Sequence, residues 1–290
     1  MGKEKFSLGT ANFAKAYGIE NGKGLSSSKI NKIFNILKKN KLRNIDTAFS
    51  YREVEKKLGY QNLKNFFIYS KIPRVPEKCK NIEEWLDGVI KKSLSDLRLK
   101  TFEGIYLHHP EDLLKKNGDI LYKNLLNLKE NEIVKKIGVS IYSYLTLDKV
   151  LNKYKFDVVQ LPFNIFDRRL LTNKYFQKIK NKEIEIHIRS IFLQGLLLRD
   201  YKKIPKYFKK WKRIFLSWEK WCEKKNISKL QSCLNFVSSY KKIDKVIIGV
   251  ADEKELIQIL KCIKKISKNY PKKIFSNDIK LIDSRKWKKT

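Results

Sequence analysis

Short apolar runs alternate along the chain with longer stretches whose apolar residues recur at helical spacing. The runs at residues 6–10, 44–47, 66–71, 102–108, 136–140, 158–161, 185–190 and 245–249 are rich in β-branched and aromatic residues and end in polar turns, which predicts strands. Between them, residues 28–40 place Ile30, Ile33, Phe34 and Leu37 on one face, and residues 82–97 do the same with Trp85, Leu86, Val89, Ile90 and Leu94. Ser26 to Ser28 supplies an N-cap for the first of these helices. Regular alternation of strand and helix calls for parallel strands with crossover helices, and eight such strands fit a closed (β/α)8 barrel, a TIM barrel, in one domain over residues 1–290.

Two segments after the seventh strand depart from the alternation. Residues 191–204, after the seventh strand, make a long connection containing Gln194-Gly195 and form a candidate substrate loop. A helix then carries Phe208, Trp211, Phe215, Trp218 and Cys222 on one stripe, best read as core packing and not as a membrane or nucleic-acid face. Residues 270–290 read as a closing helix or a tail, and Gly22-Lys23-Gly24 as a flexible turn before a helix.

Composition narrows the classes. A chain of 290 residues with 42% hydrophobic content can build one large core. No apolar stretch is long enough to span a membrane, and the opening Met-Gly-Lys-Glu-Lys-Phe lacks a signal peptide's apolar core, so a cytoplasmic location without membrane insertion is expected. Cys79, Cys222, Cys233 and Cys262 form no CxxC pair and are expected to be reduced thiols. The net charge of +35 would draw polyanions. Its lysines are spread along the chain without an arginine stripe or a nucleic-acid motif, so no specific nucleic-acid partner is expected.

Asp46, Tyr51, Lys71 and His108 each stand where an apolar run meets a polar turn. Reducing a carbonyl requires a proton donor for the oxygen that becomes negative, and a phenol is a weak donor unless a nearby cation lowers its pKa. A lysine supplies that cation, a carboxylate holds the lysine, and an imidazole orients the carbonyl. In a parallel barrel, sites form at the carboxyl ends of the strands, where three of these residues fall and the tyrosine follows closely. His109 suggests a two-histidine metal site, but neighbours on an extended strand face opposite ways and no Cys/His cluster supports one, so no metal is expected. His187 reads as a packing or rim residue.

The ordered set Leu8-Gly9-Thr10-Ala11-Asn12-Phe13, Asp46-Thr47-Ala48 with Tyr51 and Glu55, Leu107-His108-His109-Pro110, Ile137-Gly138-Val139-Ser140, Val159-Gln160-Leu161-Pro162-Phe163-Asn164 and Val246-Ile247-Ile248-Gly249 resembles the aldo/keto reductase family nearly end to end. The resemblance implies an NAD(P)H-dependent oxidoreductase that interconverts a carbonyl and an alcohol. Tyr51 would be the proton donor, Lys71 its activator, Asp46 the partner of Lys71, and His108 the hydrogen-bond donor to the carbonyl. Ser140 and Gln160 would hold the nicotinamide carboxamide and Asn164 would help line the pocket. The Asn that often follows the serine is here Ile141, and the ring on which the nicotinamide often stacks is replaced by Arg189, whose planar guanidinium could take its place. Gly249 and the amides after it could hold a phosphate. Lys254 could reach a 2′-phosphate, although Asp252 and Glu253 would repel it; on family grounds NADP(H) is narrowly favoured and NAD(H) stays open.

Several segments, including Arg189-Ser190-Ile191-Phe192, resemble a bacterial branch of the family linked to surface-sugar metabolism. The expected partner is a small carbonyl substrate, an anionic sugar derivative on this reading, with Arg168, Arg169, Arg189 and Arg199 as candidate contacts. Two other functions compete: a cofactor-binding sensor or scaffold with little catalysis, and a polyanion binder.

Overall fold

The computed structural model of the chain describes residues 2–14, 24–51 and 53–287. Eight parallel strands close into a barrel in sequence order: β1 (Phe6–Gly9), β2 (Asn44–Asp46), β3 (Phe67–Ile72), β4 (Gly104–Leu107), β5 (Ile137–Ser140), β6 (Val158–Pro162), β7 (Glu185–Arg189) and β8 (Lys245–Gly249). Closure pairs β1 with β8, Gly9 lying opposite Gly249. Around the barrel stand α1 (Ser27–Lys39), α2 (Val54–Gly59), α3 (Ile82–Leu97), α4 (Gly118–Glu130), α5 (Tyr144–Lys153), α6 (Tyr175–Asn181), α7 (Lys212–Lys224), α8 (Lys229–Ser238), α9 (Glu253–Ile263) and the short α10 (Ile279–Ile282).

Local chemistry accounts for the helix ends. The Ser26 hydroxyl accepts from the Lys29 amide and the Asn81 side chain from the Glu84 amide, so α1 and α3 both begin on side-chain caps. The faces read from the sequence are the buried ones, Ile30, Ile33, Phe34 and Leu37 of α1 and Leu86, Val89 and Ile90 of α3, except that Trp85 and Leu94 of α3 are only half-buried. The fourth strand is shorter than its apolar run. Phe102 makes only an isolated bridge to Val134, and His108 lies one residue past the strand, its amide still bonded to the Ile72 carbonyl at 3.0 Å.

The aromatic stripe is not one continuous helix. Lys206–Trp211 is a 3-10 turn that starts at Pro205, and α7 begins only at Lys212. Phe208, Phe215, Trp218 and Cys222 are buried, whereas Trp211 is half-buried and donates its indole N–H to Asp278 at 2.8 Å. The tightened turn lets Phe208 meet Trp287 edge-on at 4.8 Å and sends the Tyr207 hydroxyl to the Lys280 carbonyl. The C-terminal segment is thereby fastened down, with Leu281, Ile282 and Asp283 buried. Of the glycine turn before α1, Gly22 and Lys23 lie outside the described residues, as do residues 288–290.

Period-two alternation sends every second strand residue into the barrel. Tyr69, Tyr106 and Val158 form a small apolar cluster of their own there, separate from the main core. Glycines make the room: a Cβ on Gly104 would stand 2.5 Å from the Tyr69 ring, and one on Gly138 would stand 2.2 Å from the Val158 carbonyl oxygen. All four cysteines are free thiols. Among the described residues, no helix is long and apolar enough to cross a membrane, and no three His, Cys, Asp or Glu side chains gather as a metal site would require.

Candidate active site

Asp46 closes β2 and Lys71 sits one residue before the end of β3, on the neighbouring strand, so both side chains point into the barrel mouth. Only 1% of Lys71 and 4% of Asp46 is exposed. The ammonium donates to Asp46 Oδ1 at 2.5 Å and to the Thr47 carbonyl at 2.7 Å. Burial pulls the Lys71 pKa below the usual lysine value, and the Asp46 charge opposes that shift. A lysine held this way is a cation of reduced basicity in a site that excludes water.

Tyr51 ends a 3-10 turn that follows β2. Its ring lies 5.4 Å from Lys71 Nζ and meets the His108 ring at 6.3 Å and 81°. The turn is held close to β3 by the helix that follows it, because Glu55 of α2 is buried and accepts from Ser70 of β3 at 2.5 Å and from Ser93 of α3 at 2.6 Å. His108 has its pKa lowered to about 3, chiefly by burial and then by Lys71, Arg189 and His109. It is therefore a neutral imidazole at ordinary pH. Its Nδ1 is 3.3 Å from the Ser50 hydroxyl, and with Ser50 donating, the ring proton is placed on Nε2. The four residues singled out in the sequence thus lie together at one end of the barrel.

Ser140 and Gln160 are brought to the same place but are already engaged. Ser140 Oγ donates to Gln160 Oε1 at 3.1 Å, and Gln160 Nε2 donates to Asp46 Oδ2 at 2.6 Å, so the pair forms a second support for the aspartate beside Lys71. Ile141 is buried and its side chain belongs to the core. Arg189 donates to the Ile141 carbonyl at 2.9 Å, and its guanidinium lies 3.9 Å from the Tyr142 ring centroid. Arg285 stacks on that ring too, at 3.8 Å, held by Asp283. Arg74 donates to His109 Nδ1 at 3.1 Å.

Other candidates serve the scaffold. Arg168 donates to the Pro271, Lys272 and Ile274 carbonyls and so ties down the C-terminal segment. Arg169 is locked to Asp167 and to the Tyr142 carbonyl. Asn164 is fully buried; it accepts from the Phe166 and Asp167 amides and donates to the Ser190 carbonyl, shaping the loop after β6 instead of lining a pocket. His187 is a packing residue inside the barrel.

Gly249 ends β8 beside Asn12, whose amide would stand 3.2 Å from an added Cβ. Lys254 is exposed. The start of α9 is capped by its own acids: Asp252 Oδ1 accepts from the Glu255 amide at 2.9 Å, and Glu255 Oε2 accepts from the Ala251 amide at 2.7 Å. Glu253 pairs with Lys32 at 3.3 Å. In the loop after β7, Ser190, Leu193, Gln194 and Gly195 all have positive φ, from 49° to 84°. For the three non-glycine residues that conformation costs roughly 1–2 kcal/mol each, a strain that concentrates at ligand clamps.

Sequence reading passed over Ser50, Arg74, Tyr142 and Arg285. Ser50 adjoins Tyr51 and could have been found as the hydroxyl next to the phenol. Nothing local marks Arg285, which meets Tyr142 only because the C-terminal segment folds back over the barrel mouth.

A closed eight-stranded barrel with a lysine–aspartate pair, a tyrosine and a neutral histidine at its carboxyl end has the makings of a carbonyl oxidoreductase. Residues 5–274 match the model of the aldo/keto reductase family, and the chain belongs to that family, whose members are NAD(P)H-dependent oxidoreductases. Solved structures agree on the fold. The holo form of an aldo-keto reductase from Bacillus halodurans superposes with a TM-score of 0.71 at 14% identity, covering 93% of this chain and 94% of that one. A Pseudomonas aeruginosa protein assigned provisionally to the aldo-keto reductases gives 0.66 at 14% identity, with 90% of each chain covered. No curated protein matches the sequence significantly.

Proposed function

We propose that the chain reduces an aldehyde or ketone, or runs the reverse oxidation, with Tyr51 as the proton donor. The buried Lys71–Asp46 pair beside the Tyr51 ring carries this reading. The dinucleotide, when bound, supplies the hydride. Tyr51 delivers the proton to the carbonyl oxygen as negative charge develops there. Lys71 favours the phenolate left behind, and Asp46 keeps the ammonium within reach. His108, neutral and with its proton on Nε2, donates to the same oxygen and orients it. Consumption of a reduced nicotinamide together with glyceraldehyde, followed by absorbance, tests this reading; absence of hydride transfer in single turnover would favour the sensor instead.

For the cofactor, the strained loop after β7 and Gly249 at the end of β8 offer backbone to a diphosphate, where barrels of this kind commonly bind phosphate. Arg189 offers its plane to the nicotinamide. Family grounds narrowly favoured NADP(H), but the acids at the start of α9 support NAD(H). The Ala251 and Glu255 amides are taken by carboxylates, and a 2′-phosphate would meet Asp252, Glu253 and Glu255, with the exposed Lys254 in its favour and Lys32 already paired to Glu253. NADH is expected to bind at least about tenfold more tightly than NADPH, equivalent to ~1.4 kcal/mol. Titration calorimetry at physiological ionic strength, where the general positive field is screened, measures the difference. Equal or tighter NADPH binding would refute it.

Arg74, Arg189 and Arg285 gather near His108 and His109, which supports a substrate with an anionic group. Because Arg285 is exposed and already paired with Asp283, its contribution is discounted: Arg285→Ala is expected to raise KM for an anionic aldehyde by about tenfold, within the range of one charge-assisted hydrogen bond. KM for a neutral aldehyde should not move. A parallel rise in both would show that Arg285 acts only on the shape of the mouth.

A further inference from the structure

We infer that Tyr106, His187 and Glu185 form a column inside the barrel that positions the Asp46–Lys71 pair from below. The inference rests on the reading of Tyr51 as the proton donor. None of the three opens into the pocket mouth, and packing alone would not require their polar atoms. Yet they are joined in one direction. The Tyr106 hydroxyl is 2.6 Å from His187 Nδ1, and His187 Nε2 is 3.2 Å from Glu185 Oε2. Glu185 Oε1 accepts from Lys136 at 2.7 Å, where the barrel's lower end meets solvent.

The proton order along this column is set from its charged end. Glu185 is a carboxylate with its pKa lowered to about 2, chiefly by the His187 hydrogen bond and then by Lys136. A carboxylate can only accept, so His187 must carry its proton on Nε2 and present Nδ1 as an acceptor. Burial keeps His187 neutral and holds the Tyr106 pKa well above the usual phenol value. Tyr106 therefore donates downward to His187, and its oxygen lone pairs face upward. Gln160, whose amide donates to Asp46 Oδ2, also acts on the Tyr106 hydroxyl and opposes the rise in its pKa. A second link is direct: the Lys71 ammonium lies 5.8 Å from the Tyr106 ring centroid and 5.4 Å from that of Tyr51, so one cation is within cation–π range of two tyrosine rings.

Three consequences follow from the geometry. Gln160 cannot flip without turning its carbonyl oxygen toward Asp46. Asp46 is held at both oxygens, by Lys71 on one and Gln160 on the other. Lys71 is flanked on the neighbouring strand by Tyr106, its register partner on β4, whose ring limits movement away from Tyr51 on that side. Tyr69 packs against His187 at 5.0 Å and against Tyr106 at 5.8 Å, and Lys245, Asp244 and Glu103 also act electrostatically on the lower end. The column thus couples a solvent-facing carboxylate at one end of the barrel to the acid machinery at the other.

The experiment compares Tyr106→Phe, His187→Leu, His187→Gln and Glu185→Gln with Tyr51→Phe in the full chain, using glyceraldehyde and the better-bound nicotinamide. If the column positions Lys71, Tyr106→Phe and His187→Leu lower kcat about tenfold or more, as expected for an ångström-scale misplacement, with KM for the cofactor unchanged. The alkaline limb of the kcat profile then moves upward by about half a pH unit or more, because Tyr51 loses part of the cation that lowers its pKa. His187→Gln, which can accept from Tyr106 and donate to Glu185, restores the wild-type limb. Should His187→Leu fail to fold, Glu185→Gln at the half-exposed lower end shows the same upward shift. An unmoved limb in folded Tyr106→Phe and Glu185→Gln, with Tyr51→Phe inactive, overturns the inference alone. A Tyr51→Phe enzyme that still turns over removes the proton-donor reading and the inference with it.

Discussion

Tyr51→Phe is expected to lower turnover by about 10²–10⁴-fold, the usual worth of a positioned general acid, while dinucleotide affinity stays unchanged. The substitution deletes one oxygen and keeps the ring that packs near His108 and Lys71. Neither neighbour can take over the role. His108, with its pKa lowered to about 3, stays uncharged near neutral pH and holds its ring proton too weakly acidic to deliver it. The Lys71 ammonium is taken by Asp46 and the Thr47 carbonyl. Steady-state turnover alongside quenching of tryptophan fluorescence by the reduced nicotinamide separates chemistry from binding. Retention of turnover to within a few-fold would assign the acid elsewhere.

Lys71→Met should damage both activity and stability, because the lysine serves two masters. Removing the ammonium leaves the Asp46 carboxylate buried, with the Gln160 amide on its second oxygen and no other ion pair among the described residues. Breaking a buried pair from one side costs about 3–5 kcal/mol, since the remaining charge loses its counterion without regaining water. Methionine fills most of the volume, so packing loss adds little. Turnover falls as well, because the Tyr51 phenol loses the cation that lowers its pKa. Denaturant midpoints measure the first effect and kcat the second. Undiminished stability would mean that Asp46 takes up a proton or water when the lysine is gone.

The strands and their order were legible because each is a local matter: an apolar run, a turn, and a side-chain period of two. The placement of Asp46 and Lys71 at neighbouring strand ends follows from the same local pattern. The self-capped start of α9 was also legible, since Asp252 followed three residues later by Glu255 is a capping box, although in the sequence these acids read as an obstacle to a 2′-phosphate and the amides as free to hold one. The fate of Gln160 was not legible. Its family position suggested a hand on the nicotinamide, while the folded barrel gives that hand to Asp46, 114 residues earlier. Arg168 is a similar case, a surface charge in sequence that becomes an anchor for carbonyls about a hundred residues away.

Periodicity, caps and residue chemistry were enough to define a barrel and to place a tyrosine, a lysine, an aspartate and a histidine at one end of it. Which polar side chains engage one another, and therefore which remain available to a ligand, was decided by closure of the barrel and by the C-terminal segment folding over its mouth. The reason is that hydrogen bonds and ion pairs act over a few ångströms, and a chain of 290 residues carries no local record of which distant groups closure brings within that range.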